Sequence, residues 1–464
     1  MASRRRAQAT TPTRRKVKRA PVPPRRRVTT RKWQPVPGLP QLDIRSLPGP
    51  ETIRRQELPN GIIVLARENF SSPSVVISGY LAAGSIDEPP RQAGLADLTA
   101  SALTRGTERW SFRELYEKIE SVGASFGVGS GKHMTSFHGK SLAEDLGLLL
   151  EVLAESLIHP VFPEAQVSRL KGEKLTALAI RDQDTGARAS MAFDDLVYPE
   201  HPYSLPDDGY PDTVSLLTPA DLAAFHQRGY GPRGMTVAVV GAVKAEAAIE
   251  AVAAHFSGWQ NAERLPQPEL PALRPAGKQR RKDVPLPGKS QCDLVMGGSG
   301  PGRLDPAYHA AALGNSILGR FGLYGRIGDA VRESAGLAYY AYSSIGGGPG
   351  PDPWQVAAGV NPANVDRAID LIRAEIRRFV TRRVTPGELL ENQAHFIGRL
   401  PLQLESNDGV AGALVHLERF HLGLDYHQRY PDLVRSVTRD QILETARRFL
   451  DPDRPAIAVA GPRG

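Results

Sequence analysis

The predicted strands and helices of this chain occur in the same β-then-α order twice, at a spacing of roughly 200 residues. In the first half, a hairpin with its turn at Asn60-Gly61 and an apolar strand over 74–81 precede a series of amphipathic helices. In the second half, a strand over 291–297 again precedes long helices, and a strand over 456–460 ends the series. A fold of two related α+β lobes is therefore predicted, although few residues are identical between the halves.

Composition excludes several classes of protein. The chain has 464 residues, of which 41% are hydrophobic and 23% charged, as in ordinary globular proteins. No apolar run approaches the roughly 18 residues that a membrane-spanning helix needs. A single cysteine, Cys292, rules out a disulfide framework and a cysteine-rich zinc module, and it fits a reducing compartment. We therefore expect a cytoplasmic protein without a transmembrane segment.

Positive charge is concentrated at the start of the chain. Residues 1–32 contain thirteen Lys or Arg and no acid, so subtracting them from the formal net charge of +8 leaves about −5. A Pro-rich segment follows, and few apolar side chains are available for burial, so a disordered tail is predicted over 1–50. Weak, salt-sensitive contact with polyanions is expected of this tail. A specific arm for nucleic acid or anionic membrane, a targeting role and a misassigned start codon are the alternatives.

Three further segments are predicted after the tail. Residues 258–285 are rich in Pro, Arg and Lys, which is typical of a linker between domains. This linker separates an N-terminal lobe over 51–257 from a C-terminal lobe over 286–464.

One helix in the first half places three informative positions on one face. After a loop that ends at Gly94, apolar residues recur at helical spacing over 95–103. Positions 97, 100 and 101 stand at i, i+3 and i+4, so their side chains share one side of the helix. These positions hold Asp97, Ala100 and Ser101.

The frame around this helix resembles the signature of the insulinase, pitrilysin and mitochondrial-processing-peptidase family of zinc peptidases, roughly G-[LS]-A-H-x-x-E-H-x-[LM]-x-x-G-T. The matching residues are Gly94-Leu95-Ala96, Leu103 and Gly106-Thr107. The resemblance implies an α+β fold of two lobes, each an antiparallel-rich mixed sheet packed against helices, that together form a clamshell. In the family the two histidines bind zinc and the glutamate is the general base, an arrangement of the inverted zincin type.

The residues that carry this chemistry are absent from the helix. Asp97 replaces the first histidine, Ala100 the glutamate and Ser101 the second histidine. A catalytic zinc needs about three N, O or S ligands, and its water needs a base, which Ala100 cannot be. The family's third ligand, a later Glu, would fall near 177–180, where no carboxylate stands, and Glu173 is about one turn out of register. The chain is therefore predicted to bind no metal of its own and to be inactive alone.

A second constellation, in the other half, is present. The segment over 319–339 is similar to the family's second signature, roughly S-R-L-x-x-x-[VI]-R-E-x-x-G-L-x-Y, whose Arg and Tyr hold the substrate backbone. Arg332 and Tyr339 match both identity and spacing. A guanidinium and a phenol can hydrogen-bond a peptide carbonyl and stabilise an oxyanion. The alternative is a surface ion pair between Arg332 and Glu333, with Tyr339 packed in the core.

Together these motifs predict the non-catalytic, substrate-binding subunit of a heterodimeric zinc endopeptidase. In the processing-peptidase branch the zinc motif and the Arg/Tyr pair can lie on different subunits. The resemblance therefore implies a paralogous partner that carries H-x-x-E-H and the zinc, with unfolded peptides as substrates. The alternatives are a structural core subunit of a larger complex, and a polyanion-binding protein acting through residues 1–32. A self-sufficient protease is disfavoured, since the ligands are missing.

Overall fold

The computed structural model describes residues 38–273 and 280–462, which form two mixed sheets with helices packed on them. The first sheet has the strand order β1-β2-β6-β3-β5-β4, with only the β2–β6 pair parallel. Because β4 is at the end of this order, one side of its backbone has no neighbouring strand among the described residues. The strands are β1 (Arg54–Glu57), β2 (Ile63–Glu68), β3 (Ser74–Leu81), β4 (Ser125–Ser130), β5 (Thr135–Leu142) and β6 (Thr236–Gly241).

The second sheet follows the same design with one strand fewer. Its order is β7-β11-β8-β10-β9, and only the β7–β11 pair is parallel. The strands are β7 (Arg280–Pro285), β8 (Cys292–Ser299), β9 (Ala338–Ile345), β10 (Pro353–Val360) and β11 (Ala456–Gly461). Two antiparallel-rich mixed sheets with helices confirm the predicted α+β fold class.

Helices occupy most of the remaining chain. In the first half they are α1 (Leu95–Ala102), α2 (Phe112–Ser121), α3 (Leu146–Ile158), α4 (Glu164–Arg181), α5 (Thr185–Val197), α6 (Pro211–Leu216), α7 (Pro219–Gly229) and α8 (Ala245–Phe256). In the second half they are α9 (Tyr308–Gly319), α10 (Phe321–Gly328), α11 (Val365–Thr381), α12 (Pro386–Gln403), α13 (Asn407–Arg419), α14 (Tyr426–Ser436) and α15 (Arg439–Phe449). Helix α10 is irregular, because four of its residues have non-helical backbone angles, and a π-helical turn over Asp329–Ser334 follows it.

Each sheet has an apolar core on one face. On the first sheet, side chains of β2, β3 and β6 form one core with those of α1, α3 and α8, and this core includes Ile77, Val239, Leu98 and Leu150. On the second sheet, Trp354 of β10 is fully buried in the core formed with α9, α11 and α15. Burial of such a side chain contributes roughly 1.5–3 kcal/mol, so these two cores supply most of the stabilisation of the fold.

The opposite face of each sheet is covered by a helix from the other half of the chain. Helix α5 packs on β7, β8 and β11, where Phe193 lies in one cluster with Val295 and Ala458. Helix α13 packs on β3 and β6, where Leu414 lies in one cluster with Val76. Because of this exchange of helices, each half of the chain completes the core of the other half.

The described residues differ from the predicted segments in two places. Within 38–50, a 3-10 turn forms over Ile44–Ser46 and Leu47 is buried. This segment is ordered because apolar side chains such as Leu42 pack against the core of the second half. Within 258–285, the last six residues form β7, since β11 offers them a free strand edge. The basic segment 1–32 lies outside the described residues, as do 33–37. Among the described helices, none is long and apolar enough to cross a membrane.

Candidate functional site

Helix α1 begins at a buried carboxylate. Glu88 accepts hydrogen bonds from the backbone N–H groups of Gly94 (2.9 Å) and Ala96 (2.7 Å), which would otherwise be unpaired at the start of a buried helix. Burial raises the pKa of Glu88 to about 8, while the two hydrogen bonds oppose this shift. Gly94 has φ of 95°, and a Cβ there would lie 2.9 Å from the carbonyl oxygen of Asp208. The start of α1 therefore requires both Glu88 and a glycine.

Asp97 is engaged by a lysine. Its carboxylate contacts the Nζ atom of Lys174 on α4, and both side chains are largely buried. Burial raises the pKa of Asp97, and the contact with Lys174 opposes that shift. The carboxylate that stands in place of the first zinc-binding histidine is therefore held by a cation of the chain itself.

The other positions of the zinc motif offer no ligand set. Ala100 is buried in the core, and Ser101 carries only a neutral hydroxyl. Glu173 on α4 pairs with Arg169 (3.0 Å) and Arg105 (3.7 Å). Within 38–273 and 280–462, no group of three or more His, Cys, Asp or Glu side chains is placed to hold a metal ion. One carboxylate bound to lysine does not fit a catalytic zinc, which needs about three ligands.

Two further acids near α1 also have cationic partners. Asp207 accepts a contact of 2.6 Å from Nζ of Lys132, and Asp208 one of 2.5 Å from Arg181. Both acids act electrostatically on Asp97 and raise its pKa. Asp97, Asp207 and Asp208 are thus each paired with a Lys or Arg side chain, and their balance of charge does not need a divalent cation.

Arg332 lies in the π-helical turn after α10. Its Nε is 3.4 Å from the Glu333 carboxylate, and its guanidinium carbon is 5.6 Å from the ring centroid of Tyr324. The side chain is partly exposed, so water screens this ion pair and weakens it. The local ion pair considered from the sequence is thus present, and it is of the weak, surface type.

Tyr339 is the second residue of β9, which is an edge strand. The side chain is 84% exposed, and its hydroxyl makes no hydrogen bond with any described residue. The alternative that Tyr339 packs in the core is therefore wrong. Gly336, with φ of 63°, makes the turn between the π-helical segment and β9. This turn leaves the phenol on the surface, where a ligand can reach it.

The edge strand β4 lies beside α1. Helix α1 packs against β4, and the outward positions Gly127 and Gly129 have open space where a side chain would stand. An unpaired strand edge with small residues can accept an extended peptide through backbone hydrogen bonds. This edge therefore offers a binding surface next to the altered motif.

Two residues that organise this region were missed from the sequence. The only sequence signal for the role of Glu88 is its position six residues before Gly94. Lys174 is separated from Asp97 by 77 positions, and only the packing of α1 on α4 brings the two together. Lys174 lies about one helical turn before the segment 177–180, where the family's third zinc ligand is expected. A search there for a lysine, rather than a carboxylate, would have found it.

Family models match both halves of the chain. A model described as Insulinase (Peptidase family M16) matches residues 63–192, and one described as Peptidase M16 inactive domain matches residues 216–395. The second match covers the end of the first half of the chain and much of the second half.

Similar proteins extend over most of the chain. A protein of Streptomyces coelicolor, described as an uncharacterized zinc protease, is 27% identical over 421 residues, which are 89% of this chain and 90% of that protein. A probable mitochondrial-processing peptidase subunit beta of Arabidopsis thaliana is 28% identical over 46% of this chain and 40% of its own length. The crystal structure of a peptidase M16 inactive domain from Pseudomonas fluorescens has a TM-score of 0.81 and 27% identity, covering 88% of this chain and 98% of that one.

Proposed function

This chain belongs to the insulinase family of peptidases, M16, of which two models together match more than half of its residues, and we propose that it is the non-catalytic, substrate-binding subunit of a two-chain zinc endopeptidase. The partner in this proposal is a paralogue that carries H-x-x-E-H and holds the zinc. This chain contributes Arg332 and Tyr339 to a composite site that takes unfolded peptides.

The ion pair of Asp97 with Lys174 carries the first part of the proposal. A lysine ammonium beside the only carboxylate on that helix face repels a divalent cation and occupies the oxygen that could bind it. Ala100 also leaves no proton acceptor for a bound water. Zinc chemistry in such an enzyme must therefore come from the other chain.

The exposed Tyr339 and the partly exposed Arg332 support the second part. An oxyanion that forms on a peptide carbonyl is stabilised by donors that need little rearrangement. The Tyr339 hydroxyl has no hydrogen-bond partner among the described residues. Arg332 has a screened pair with Glu333 and a contact with the Tyr324 ring to give up. The open edge of β4 adds a surface on which an extended peptide can lie.

The location of the complex is part of the same proposal. Cys292 is buried and unpaired, which suits the reducing cytoplasm. We place the two-chain enzyme there.

The decisive experiment is purification of the tagged chain from its own organism, followed by native mass spectrometry and sequencing of the chains that co-purify. A one-to-one complex with an H-x-x-E-H chain and one zinc ion, which cleaves unfolded peptides until a chelator is added, is expected. The separately expressed chain should cleave none. A zinc-free homodimer, or a larger assembly without peptidase activity, would replace the proposal with a structural role.

A further inference from the structure

A cavity of about 610 Å³ lies among α9, α12, α13 and α14, within the second half of the chain. Its volume is in the range of sites that hold small organic ligands. Among the residues that line it are two arginines and three histidines, and none is Asp or Glu. The arginines are Arg303 and Arg399, and the histidines are His309, His416 and His427.

Arg303 is the buried cation of this cavity. Only 6% of the residue is exposed, and its guanidinium donates hydrogen bonds to the Tyr426 hydroxyl (2.7 Å) and to Nε2 of His416 (3.3 Å). It also stacks on the ring of Tyr308, 4.6 Å from the centroid. No carboxylate of the described residues pairs with Arg303. By contrast, the partly buried Arg326 donates hydrogen bonds of 2.7 Å to both carboxylate oxygens of Glu388. A buried charge without an opposite charge is costly, so this site favours an anion.

The histidines around Arg303 are neutral at physiological pH. Burial lowers the pKa of His309, His416 and His427 to about 4, and the nearby Arg303 contributes to this lowering for the first two. Neutral imidazoles can both donate and accept hydrogen bonds. His427 is 6% exposed, and its Nδ1 is buried with no hydrogen-bond partner among the described residues.

Apolar side chains form much of the remaining wall, which also includes Gln403. Phe396 and Leu400 of α12, together with Ala312 of α9 and Tyr430 of α14, line the space around the charged groups. We propose that this cavity binds a small organic anion, a carboxylate or phosphate ester, whose charged group pairs with Arg303 and whose apolar part packs against Phe396 and Leu400. The site is formed by one half of the chain and is independent of the peptidase role proposed above.

Binding is tested on the full chain by isothermal titration with phenyl phosphate and with benzoate. Thermal unfolding in the same ligands follows, because a ligand of the folded state raises Tm as its concentration increases. Sodium chloride at equal ionic strength and benzylamine, a cation of similar size, are the controls. At least one anion should bind in a one-to-one ratio and raise Tm, and benzylamine should do neither.

Two variants locate the binding. Arg303→Gln should weaken anion binding by about tenfold or more, since it removes a charged hydrogen-bond donor. Ala312→Leu leaves Arg303 in place and adds a larger side chain to the cavity wall, so it should weaken binding at least as much. It decides the question if Arg303→Gln does not fold. Arg367→Gln, on the exposed surface of α11, is the matched control and should bind as the wild type does. Absence of binding by both anions, or unchanged binding in Ala312→Leu, would overturn the proposal.

Discussion

Lys174 on α4 holds the carboxylate of Asp97 on α1, at the position where the family signature has its first zinc-binding histidine. Lys174→Ala leaves the buried carboxylate without its cation and should lower the free energy of unfolding by about 1–3 kcal/mol. Urea unfolding measures the loss.

A double-mutant cycle separates the pair from the packing around it. Asp97→Asn combined with Lys174→Ala should be less destabilised than the sum of the two single variants, because no lone buried charge remains. If the two losses simply add, then the pair contributes nothing beyond its separate contacts.

Arg332→Ala should lower kcat/KM of the reconstituted two-chain enzyme by on the order of 100-fold, because a donor to the oxyanion is lost. Tyr339→Phe removes only a hydroxyl and should lower kcat more than it raises KM. Arg367→Ala on α11 and Tyr342→Phe on the same strand are the matched controls, with activity expected near that of the wild type. Equal effects in the variants and their controls would remove Arg332 and Tyr339 from the site.

Gly94→Ala should destabilise the protein by about 2–4 kcal/mol, since a positive φ and a contact of 2.9 Å with the Asp208 carbonyl oxygen both oppose the new methyl group. Gly123 also has a positive φ, of 62°, but has open space at the Cβ position. Gly123→Ala should therefore cost only about 1 kcal/mol, for the backbone alone. Thermal and urea unfolding of the two variants compare the effects, and equal losses would show that the close contact is unimportant.

His427 should make the protein acid-sensitive. Its folded pKa is about 4, against 6.5 in its ordinary state, so between these values the unfolded chain binds more protons and stability falls as pH drops. His427→Gln should make this fall shallower, by at most about 1.4 kcal/mol per pH unit. Unfolding free energies from pH 7 to pH 4 test it, with the exposed His159→Gln as control. An unchanged slope would contradict a neutral, buried His427.

Residues 1–32 should account for any binding to polyanions. The full chain is expected to bind heparin with an affinity that falls steeply with salt, because binding releases counterions. Deleting residues 1–32 removes thirteen positive charges and leaves a negative body, so binding should vanish. Retention of binding by the shortened chain would place the basic surface elsewhere.

Local patterns predicted most of the secondary structure. The strand over 74–81 is predicted at its observed bounds, and the strands over 291–297 and 456–460 lie within two residues of theirs, because an apolar run is a local signal. Helix α1 was predicted from its glycine and its leucine spacing, and the fold class followed from the order of elements.

Contacts between distant segments were not predicted. The positions of α5 and α13 depend on which sheet face is left uncovered after folding, and no local period records that. Arg303 is an ordinary residue in a glycine-rich loop of the sequence, and its burial results from helices more than 80 positions later. Motifs therefore predict which residues of a site are present, such as Asp97. They do not predict which charged side chains tertiary packing places beside them, such as Lys174.

The two halves follow one another in sequence, but because α5 and α13 each cover the sheet of the other half, neither half is stable without the other. Removal of either half would strip a helix from the surviving sheet and expose its apolar face to water. Such a chain should melt in one cooperative transition, and its halves, if produced from separate genes, would survive only as an obligate pair. A substitution fixed in one half is thereby tolerated or rejected according to the residues of the other.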